Sequence, residues 1–327
     1  MVRPFTQLRG AACLAAVLLA GILSCPALDA SGPGTSAVPL LKLDSGARPA
    51  ALGGMFCSIA DDANILQYNP GGLGQIGRNE LMLMHNEWIG GIRTETLNYV
   101  TSVSEDWNMG LSLNYLFTEK SDARDNAGNL SGGSVRESNG VAALGVGGAI
   151  LEDFYAGVAV KGLSQSAAGR AGQAGAFDLG IIDKIHDLRM GLSVQNIGTG
   201  MKIAREKFPL PLTLRVGANY IIKSDRLPGE KGYVLIGLDA VKVRDSSAEI
   251  RLGAELGIEN IFTISGDKCF LRVGGQSSRD RRAGTGFTGG FGIRDTGGNQ
   301  LDYAYSPFGD FGVTHRISVS IRFGLER

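Results

Sequence analysis

The sequence is poor in the residues that carry out chemistry. Among 327 residues there are 4 cysteines and 3 histidines. The histidines, His85, His186 and His315, stand apart from one another and from the cysteines. No His, Cys, Asp or Glu spacing matches a metal site, so no metal, cofactor or catalytic residue is expected and the chain reads as a non-enzyme. Net charge is absent too: 32 Lys+Arg balance 32 Asp+Glu, which removes the clustered positive surface that nucleic acid requires. After residue 30 no apolar run reaches the roughly 18 residues of a membrane-crossing helix. Mean hydropathy is only +0.05. A membrane barrel remains open, because alternating strands hide their hydrophobicity from window averages.

What the N-terminus has is an export pattern. Arg3 and Arg9 accompany an apolar stretch from Ala11 to Leu23, the order and length of a signal peptide, assigned to residues 1–30. Cleavage after Ala27 or Ala30 is one outcome. The other is lipoprotein processing at the loose box Ile22-Leu23-Ser24-Cys25, which leaves a lipid on Cys25. Cys57 and Cys269 then remain, either paired in an oxidising compartment or as two small unbonded residues.

Glycine is in excess, with 49 residues, roughly twice the usual share. Without a collagen period its natural use is in tight turns and crowded strand positions. From about residue 79 to 323 one theme repeats: alternating strands parted by turn clusters. Leu212, Leu214, Val216, Ala218, Tyr220 and Ile222 oppose Thr213, Arg215, Gly217 and Asn219. Ile250, Leu252, Ala254, Leu256 and Ile258 oppose Glu249, Arg251, Gly253, Glu255 and Gly257. Ile317, Val319, Ile321 and Phe323 oppose Arg316, Ser318, Ser320 and Arg322. Met109 to Thr118 alternates likewise, with Leu116 the one misfit.

A soluble sandwich also alternates, with its apolar face inward. A membrane barrel turns that face to lipid and its polar or glycine face to the lumen. Strand lengths near the 9 to 11 tilted residues that span a bilayer favour the barrel. So do aromatics near strand ends (Trp88, Trp107, Tyr220, Phe270, Tyr305, Phe323) and the export signal. The expectation is all-β: a transmembrane antiparallel β-barrel of about 14 strands over 79–327, with both ends at the periplasmic side. Segments 104–106, 150–151 and 296–298 read as short turns, and 119–136, 164–173 and 276–285 as longer outer loops. Connections near 223–230 and 244–247 break that pattern.

Residues 31–78 lack the alternation. A Gly/Pro/Ser-rich leader, 31–39, is followed by apolar pieces near 50–59 and 63–68, with Asp61 and Asp62 as helix N-caps and Asn69-Pro70 as a stop. Too short for a core of its own, this segment is placed inside or beneath the barrel as a plug. Gly145-Val-Gly-Gly148 has the flavour of a nucleotide loop but lacks the spacing and the βαβ context, and reads as a glycine-rich strand.

Two stretches carry a resemblance. The first is Gly46-Ala-Arg-Pro-Ala-Ala-Leu-Gly-Gly54, Ile59-Ala-Asp-Asp-Ala63 and Tyr68-Asn-Pro-Gly-Gly-Leu73. The second is Leu301-Asp-Tyr-Ala-Tyr305 with Pro307-Phe-Gly-Asp310 and Thr314-His-Arg-Ile-Ser318; Val194-Gln-Asn-Ile-Gly198 is a weaker third. Together they resemble the PorV/PorQ family of outer-membrane proteins, related to FadL-type transporters of hydrophobic compounds. Gly71 stands where that family more often has alanine, and the chain runs four residues past Phe323, where many barrels end on an aromatic. The resemblance implies an outer-membrane location in a Gram-negative-type bacterium and contact with outer-membrane lipid. It also implies a role in protein secretion or surface delivery of type IX kind, with secreted proteins or secretion-system components as partners. The alternative is FadL-like passive passage of long-chain fatty acids or other hydrophobic small molecules. The polar outer loop around Asp122 to Arg136 weighs against greasy capture. Gly53, Gly54, Asp61, Asp62, Asn69, Pro70 and Gly71 are the candidate plug and gating residues. Arg215, Arg251, Glu255 and Arg322 are candidate lumen charges, either setting selectivity or pairing as a structural ladder.

Overall fold

Period-2 alternation dictates which residues can share a wall, and the computed structural model shows that wall closing on itself. It describes residues 32, 34–59, 61–125, 127–224, 232–260, 267–277 and 286–324. The signal, Cys13, Cys25 and most of the 276–285 loop lie outside the described residues. The strands are β1 (Asn79–Glu87), β2 (Ile92–Ser102), β3 (Trp107–Thr118), β4 (Ser121–Arg124), β5 (Leu130–Val135), β6 (Ser138–Leu151), β7 (Phe154–Ala167), β8 (Arg170–Ile185) and β9 (Leu188–Gly198). They continue as β10 (Met201–Ile203), β11 (Glu206–Phe208), β12 (Thr213–Ser224), β13 (Gly232–Val243), β14 (Glu249–Glu259), β15 (Lys268–Gln276), β16 (Phe287–Arg294), β17 (Gln300–Pro307) and β18 (Val313–Phe323).

Fourteen of them form a closed antiparallel barrel, β1-β2-β3-β6-β7-β8-β9-β12-β13-β14-β15-β16-β17-β18, and β18 pairs back onto β1 from Asn79↔Phe323 to Glu87↔His315. Closure leaves no unpaired sheet edge in the wall, the condition for a β-structure to cross lipid. The other four make the hairpins β4-β5 and β10-β11. Strand direction puts the start of β1 and the end of β18 at one end of the barrel, the terminal rim. Both hairpins lie at the other, the loop rim. The expected loop 164–173 is instead strand: β7 and β8 run on to a two-residue turn at Ala168 and Gly169, both at positive φ. β13 pairs with β12 and β14 along their length, so the described residues beside the irregular connections near 223–230 and 244–247 hold no misplaced strand; residues 225–231 lie outside the described residues. Short turns simply occur on both rims.

Side chains divide as a membrane barrel requires. Tyr220, Ile222, Leu252, Ile317, Val319, Ile321 and Phe323 are exposed, whereas Arg215, Asn219, Arg251, Glu255, Arg316 and Ser318 are buried. Leu116, the misfit of β3, points inward and is buried in an apolar cluster. Phe270 departs from the expected girdle. The register of β15 sends Leu271 and Val273 out and Phe270 in, where Arg272 and Arg294 lie over its ring. No helix among the described residues is long and apolar enough to cross a membrane.

The N-terminal segment fills the lumen. It contains a short helix Ala47–Ala51 and 3-10 turns Pro39–Lys42, Ala63–Gln67 and Pro70–Gln75. Asp62 caps the second turn by accepting from the Asn64 amide at 2.9 Å, and Asn69 caps the third by accepting from the Gly71 amide at 3.0 Å. Leu52, Met55, Phe56, Ile59, Leu66 and Leu73 pack against inward-facing Met82, Val100, Ala159, Ile182 and Leu235. The plug backbone lies directly on the wall, which two inward glycines make possible. A β-carbon at Gly180 would overlap the Asn69 side-chain oxygen, and one at Gly157 would overlap the Pro70 carbonyl.

Gly180→Val should therefore lift the plug off β8 and cost about 1–3 kcal/mol, the usual penalty of overpacking. The measurement is a thermal midpoint together with protease protection of residues 34–78, with heat-modifiable gel migration reporting that the barrel still closes. Unchanged midpoint and protection would show that the plug does not rest on this wall.

Candidate functional site

The helix Ala47–Ala51 carries one charge, Arg48, which is 1% exposed. A buried guanidinium needs its five donors matched, and neighbours on both plug and wall supply them. Arg48 donates from Nε and Nη2 to Glu255 of β14, each at 2.8 Å. Its Nη1 reaches Asp61 at 2.5 Å and Asp62 at 2.9 Å. Glu255 accepts further hydrogen bonds from Arg272 at 2.5 Å and the Tyr233 hydroxyl at 2.6 Å, and Arg272 passes on to Asp302 at 2.7 Å. One continuous charge network thus ties the plug to β13, β14, β15 and β17.

Four further ties follow the plug along the lumen. Asp44 accepts from Arg251 at 2.6 Å and Gln276 at 3.1 Å. The Asp239 carboxylate of β13 accepts the backbone N–H groups of Phe56 and Cys57, both at 2.9 Å. Asn69, fully buried, donates to the carbonyls of Cys57 in the plug and Ile181 in the wall, both at 2.9 Å. At the terminal rim Arg322 donates to Glu80 and to the Asp61 carbonyl, both at 2.8 Å.

The residues singled out from the sequence are accordingly brought together along one interface. Gly53 donates to Thr288 and its carbonyl accepts from Gln276; Gly54, at φ 76, sits against Arg251 and Asp44. Pro70 and Gly71 press on the glycine wall of β7 and β8. Arg215, Arg251, Glu255 and Arg322 all face the lumen and are engaged. Arg215 donates to Gln195 at 3.0 Å and lies 5.2 Å over the Tyr68 ring. The weak motif Val194–Gly198 forms a bulge opposite β8, with Asn196 at φ 62. From that bulge Gln195 donates to the Gln67 carbonyl at 2.7 Å.

Arg48, Asp44, Asp239 and Arg272 were missed as site residues. The signal for Arg48 was present: a lone charge within Ala-Arg-Pro-Ala-Ala must find partners if that segment is inside. Cys57 is buried in the plug and Cys269 stands on β15, both unbonded. Among the described residues no group of three metal-ligating side chains converges.

Towards the loop rim the chain's own N-terminal piece closes the lumen. Asp245, in the β13–β14 connection, accepts from the Ser36 hydroxyl at 2.6 Å and Lys42 Nζ at 2.5 Å, and Ala37 N donates to the Pro209 carbonyl at 2.9 Å. Between these clasps Val38 and Leu40 are buried against Leu116, Leu163, Met201 and Leu210, with Leu41, Leu43, Ile203 and Phe208 alongside. This is an apolar vestibule occupied by apolar side chains of the same chain. Beneath it, a cavity bordered by Leu41, Tyr68, Met84, Val141 and Arg215 holds only about 40 Å³ of free space. That is room for water but far below the roughly 300 Å³ of a small-ligand pocket. On the lipid side of the same wall a groove of about 910 Å³ runs past Leu83, Leu97, Leu113, Ala142 and Val319. Met84, Thr96, Asn114 and Val141 border both spaces.

The uncharacterised protein family UPF0164 matches residues 24–178. One UPF0164 protein of Treponema pallidum (strain Nichols) is 36% identical over 75 residues, 23% of this chain and 19% of its own length. A second is 32% identical over 120 residues, 37% of this chain and 28% of its own. The chain thus spans 19% to 28% of the length of these relatives. Among solved structures, the toluene transporter TbuX of Ralstonia pickettii is similar over 86% of this chain and 98% of its own, with TM-score 0.57 and 12% identity. The CymD monoaromatic hydrocarbon channel matches over the same shares at TM-score 0.56 and 11% identity. A Pseudomonas aeruginosa FadL homologue does so at 0.53 and 9%. At such identities the likeness is one of fold alone, that of a closed β-barrel.

Two outcomes are expected of the ties. Arg48→Met leaves Glu255 and Asp62 buried without their main partner and should cost about 3–5 kcal/mol, read as a fall in the thermal midpoint. The clasp at Asp245 should depend on pH. Burial alone would raise this carboxyl, but hydrogen bonds from Lys42 and Ser36 and the Lys42 charge hold it below the ordinary range. Its stabilisation is therefore complete above the ordinary value of about 3.9 and is lost only as pH falls through the lower folded value. Hydrogen exchange at Ser36 and Ala37 should stay slow from neutral pH to about 4 and quicken below it. Asp245→Asn should quicken it at neutral pH.

Proposed function

We propose that the chain is a passive transporter of small apolar molecules in the outer membrane of a Gram-negative-type bacterium, delivered there by its N-terminal signal. In this reading the loop rim faces outward and the terminal rim faces the periplasm. The observation that carries it is the vestibule at the loop rim, whose apolar wall is filled by Val38, Leu40, Leu41 and Leu43. A surface that the chain covers with its own leucines is one that an apolar passenger can take when the segment withdraws. Fold neighbours described as toluene transporters and a monoaromatic hydrocarbon channel support the same class of cargo. Capture falls to the 199–212 connection, through Met201, Ile203, Phe208 and Leu210, so the polar loop at 119–136 does not weigh against it.

Gly53, Gly54, Asp61, Asp62, Asn69, Pro70 and Gly71 seat the plug and set the path it leaves when it shifts. Arg215, Arg251, Glu255 and Arg322 act as its anchors in the wall. The protein-delivery role implied by the PorV/PorQ resemblance rests on the motifs alone; no surface described above favours a protein partner over an apolar small molecule.

The test is uptake of an apolar fluorescent dye, N-phenylnaphthylamine, into proteoliposomes. Leu40→Gln combined with Leu41→Gln should loosen the stopper and raise uptake several-fold over the unaltered protein, whose lumen is closed. Uptake equal to that of empty liposomes in both forms would end the transport reading. A secreted protein retained on native mass spectrometry would replace it with delivery.

A further inference from the structure

At the terminal rim a second pocket of about 230 Å³ opens between the foot of the plug and the ends of β1, β15, β16 and β18. Arg78, Lys268, Arg294 and Arg322 line it, together with Asp61, Glu80 and Asp295. By formal count the pocket is close to neutral, yet each carboxylate is already committed. Asp61 gives both oxygens to Arg48. Glu80 gives one oxygen to the Ala63 amide and the other to Arg322. Asp295 turns both oxygens onto Asn299, closing its own turn. Lys268 is held by Glu259 at 2.5 Å.

Arg294 differs from its neighbours. Its Nε donates to Gln300 at 2.7 Å and its guanidinium carbon lies 5.0 Å from the centre of the Phe270 ring. Among the described residues no carboxylate lies within ion-pair distance of it. Stacking on an aromatic face fixes the plane of a guanidinium while leaving its edge donors for a partner, and that fork matches two oxygens of a carboxylate or phosphate. The pocket therefore presents a half-buried, oriented cation beside Arg322, with the nearby acids turned to other partners.

We propose that this pocket binds an oxyanion, a carboxylate or phosphate group, with Arg294 as its donor; Arg322 and Lys268, paired with Glu80 and Glu259, keep those acids from neutralising it. The group belongs either to a lipid phosphate at the membrane surface or to the carboxylate of an amphiphile at the mouth. The site is independent of the transport reading, since it lies on the wall and the plug's foot and requires no passage.

Isothermal titration of the full-length protein in an uncharged detergent, with inorganic phosphate and separately with hexanoate, tests it. One or both anions should bind at a single site. Arg294→Gln should weaken that binding by about tenfold or more, as loss of a charge-assisted contact does, while Arg294→Lys loses less. Heat-modifiable migration should be the same in all forms. Tighter binding of phosphate identifies the lipid source, and tighter binding of hexanoate the amphiphile. Absence of binding by either anion, or equal binding by wild type and both variants, overturns the proposal.

Discussion

A barrel of fourteen strands is wider than its own inward side chains can fill. Small barrels of about eight strands close their interior with side chains, and larger ones leave a lumen that is either wet or plugged. Here the lumen is plugged, and the plug must bring both apolar volume and the counter-charges for a wall lined with arginine and carboxylate. Arg48 is where the two requirements meet. It rides on an apolar helical turn that packs into the lumen, and it answers Glu255 from the wall and Asp61 and Asp62 from the plug at once. Without it, Glu255 would keep only Arg272 as its cation, and Asp61 and Asp62 would lose the guanidinium that binds both.

The same constraint explains the glycine content. A plug that fills a fixed lumen with backbone rather than with long side chains must approach the wall closely, and the wall must yield side-chain volume where it does. Gly157 and Gly180 do so opposite Asn69 and Pro70. Asn69 then finds both a plug carbonyl and a wall carbonyl within reach of one amide nitrogen. Glycine in these strands is thus a packing partner of the plug, at some cost in strand propensity that closure of the barrel offsets.

The barrel was legible because its signal is local. Leu212 to Ile222 and Ile317 to Phe323 show their faces in the order of their residues, and period 2 carries no information beyond the strand itself. The plug was legible as an exception to that period, and Asp62 as a cap because capping acts over two or three residues; Asn69, read as a stop, caps the turn that follows it, and Asp61, read as a cap, pairs with Arg48 instead. What could not be read was pairing across the lumen. Arg48 and Glu255 are 207 positions apart, and Asp239 meets two backbone amides that carry no side-chain signature. Phe270 was misread for a related reason: an aromatic near a strand end fits a girdle only if its parity faces lipid, and parity is set by Leu271 and Val273. The vestibule was hidden because its apolar residues are spread over β3, β7, the β10–β11 hairpin with Leu210 after it, and the leader.

The ties holding the plug are unequal, and their order along the lumen bears on how it could open. Arg48, Glu255 and Asn69 are buried and held by several mutually dependent hydrogen bonds, with Asp61 reaching the terminal rim. At the loop rim the leader is held by separate contacts: Asp245 holds Ser36 and a partly exposed Lys42, Ala37 donates to the Pro209 carbonyl and Val38 to the Gln165 side chain. Local opening draws on the least stabilised contacts first, so residues 36–43 can leave the vestibule while Arg48 keeps the rest of the plug in place. Such a division would leave the Arg48 network intact when the leader moves, while the Lys42–Asp245 pair at the rim would separate. The cavity beneath the vestibule is correspondingly small, about 40 Å³, because the side chains that line the entry and those that fill it belong to one chain.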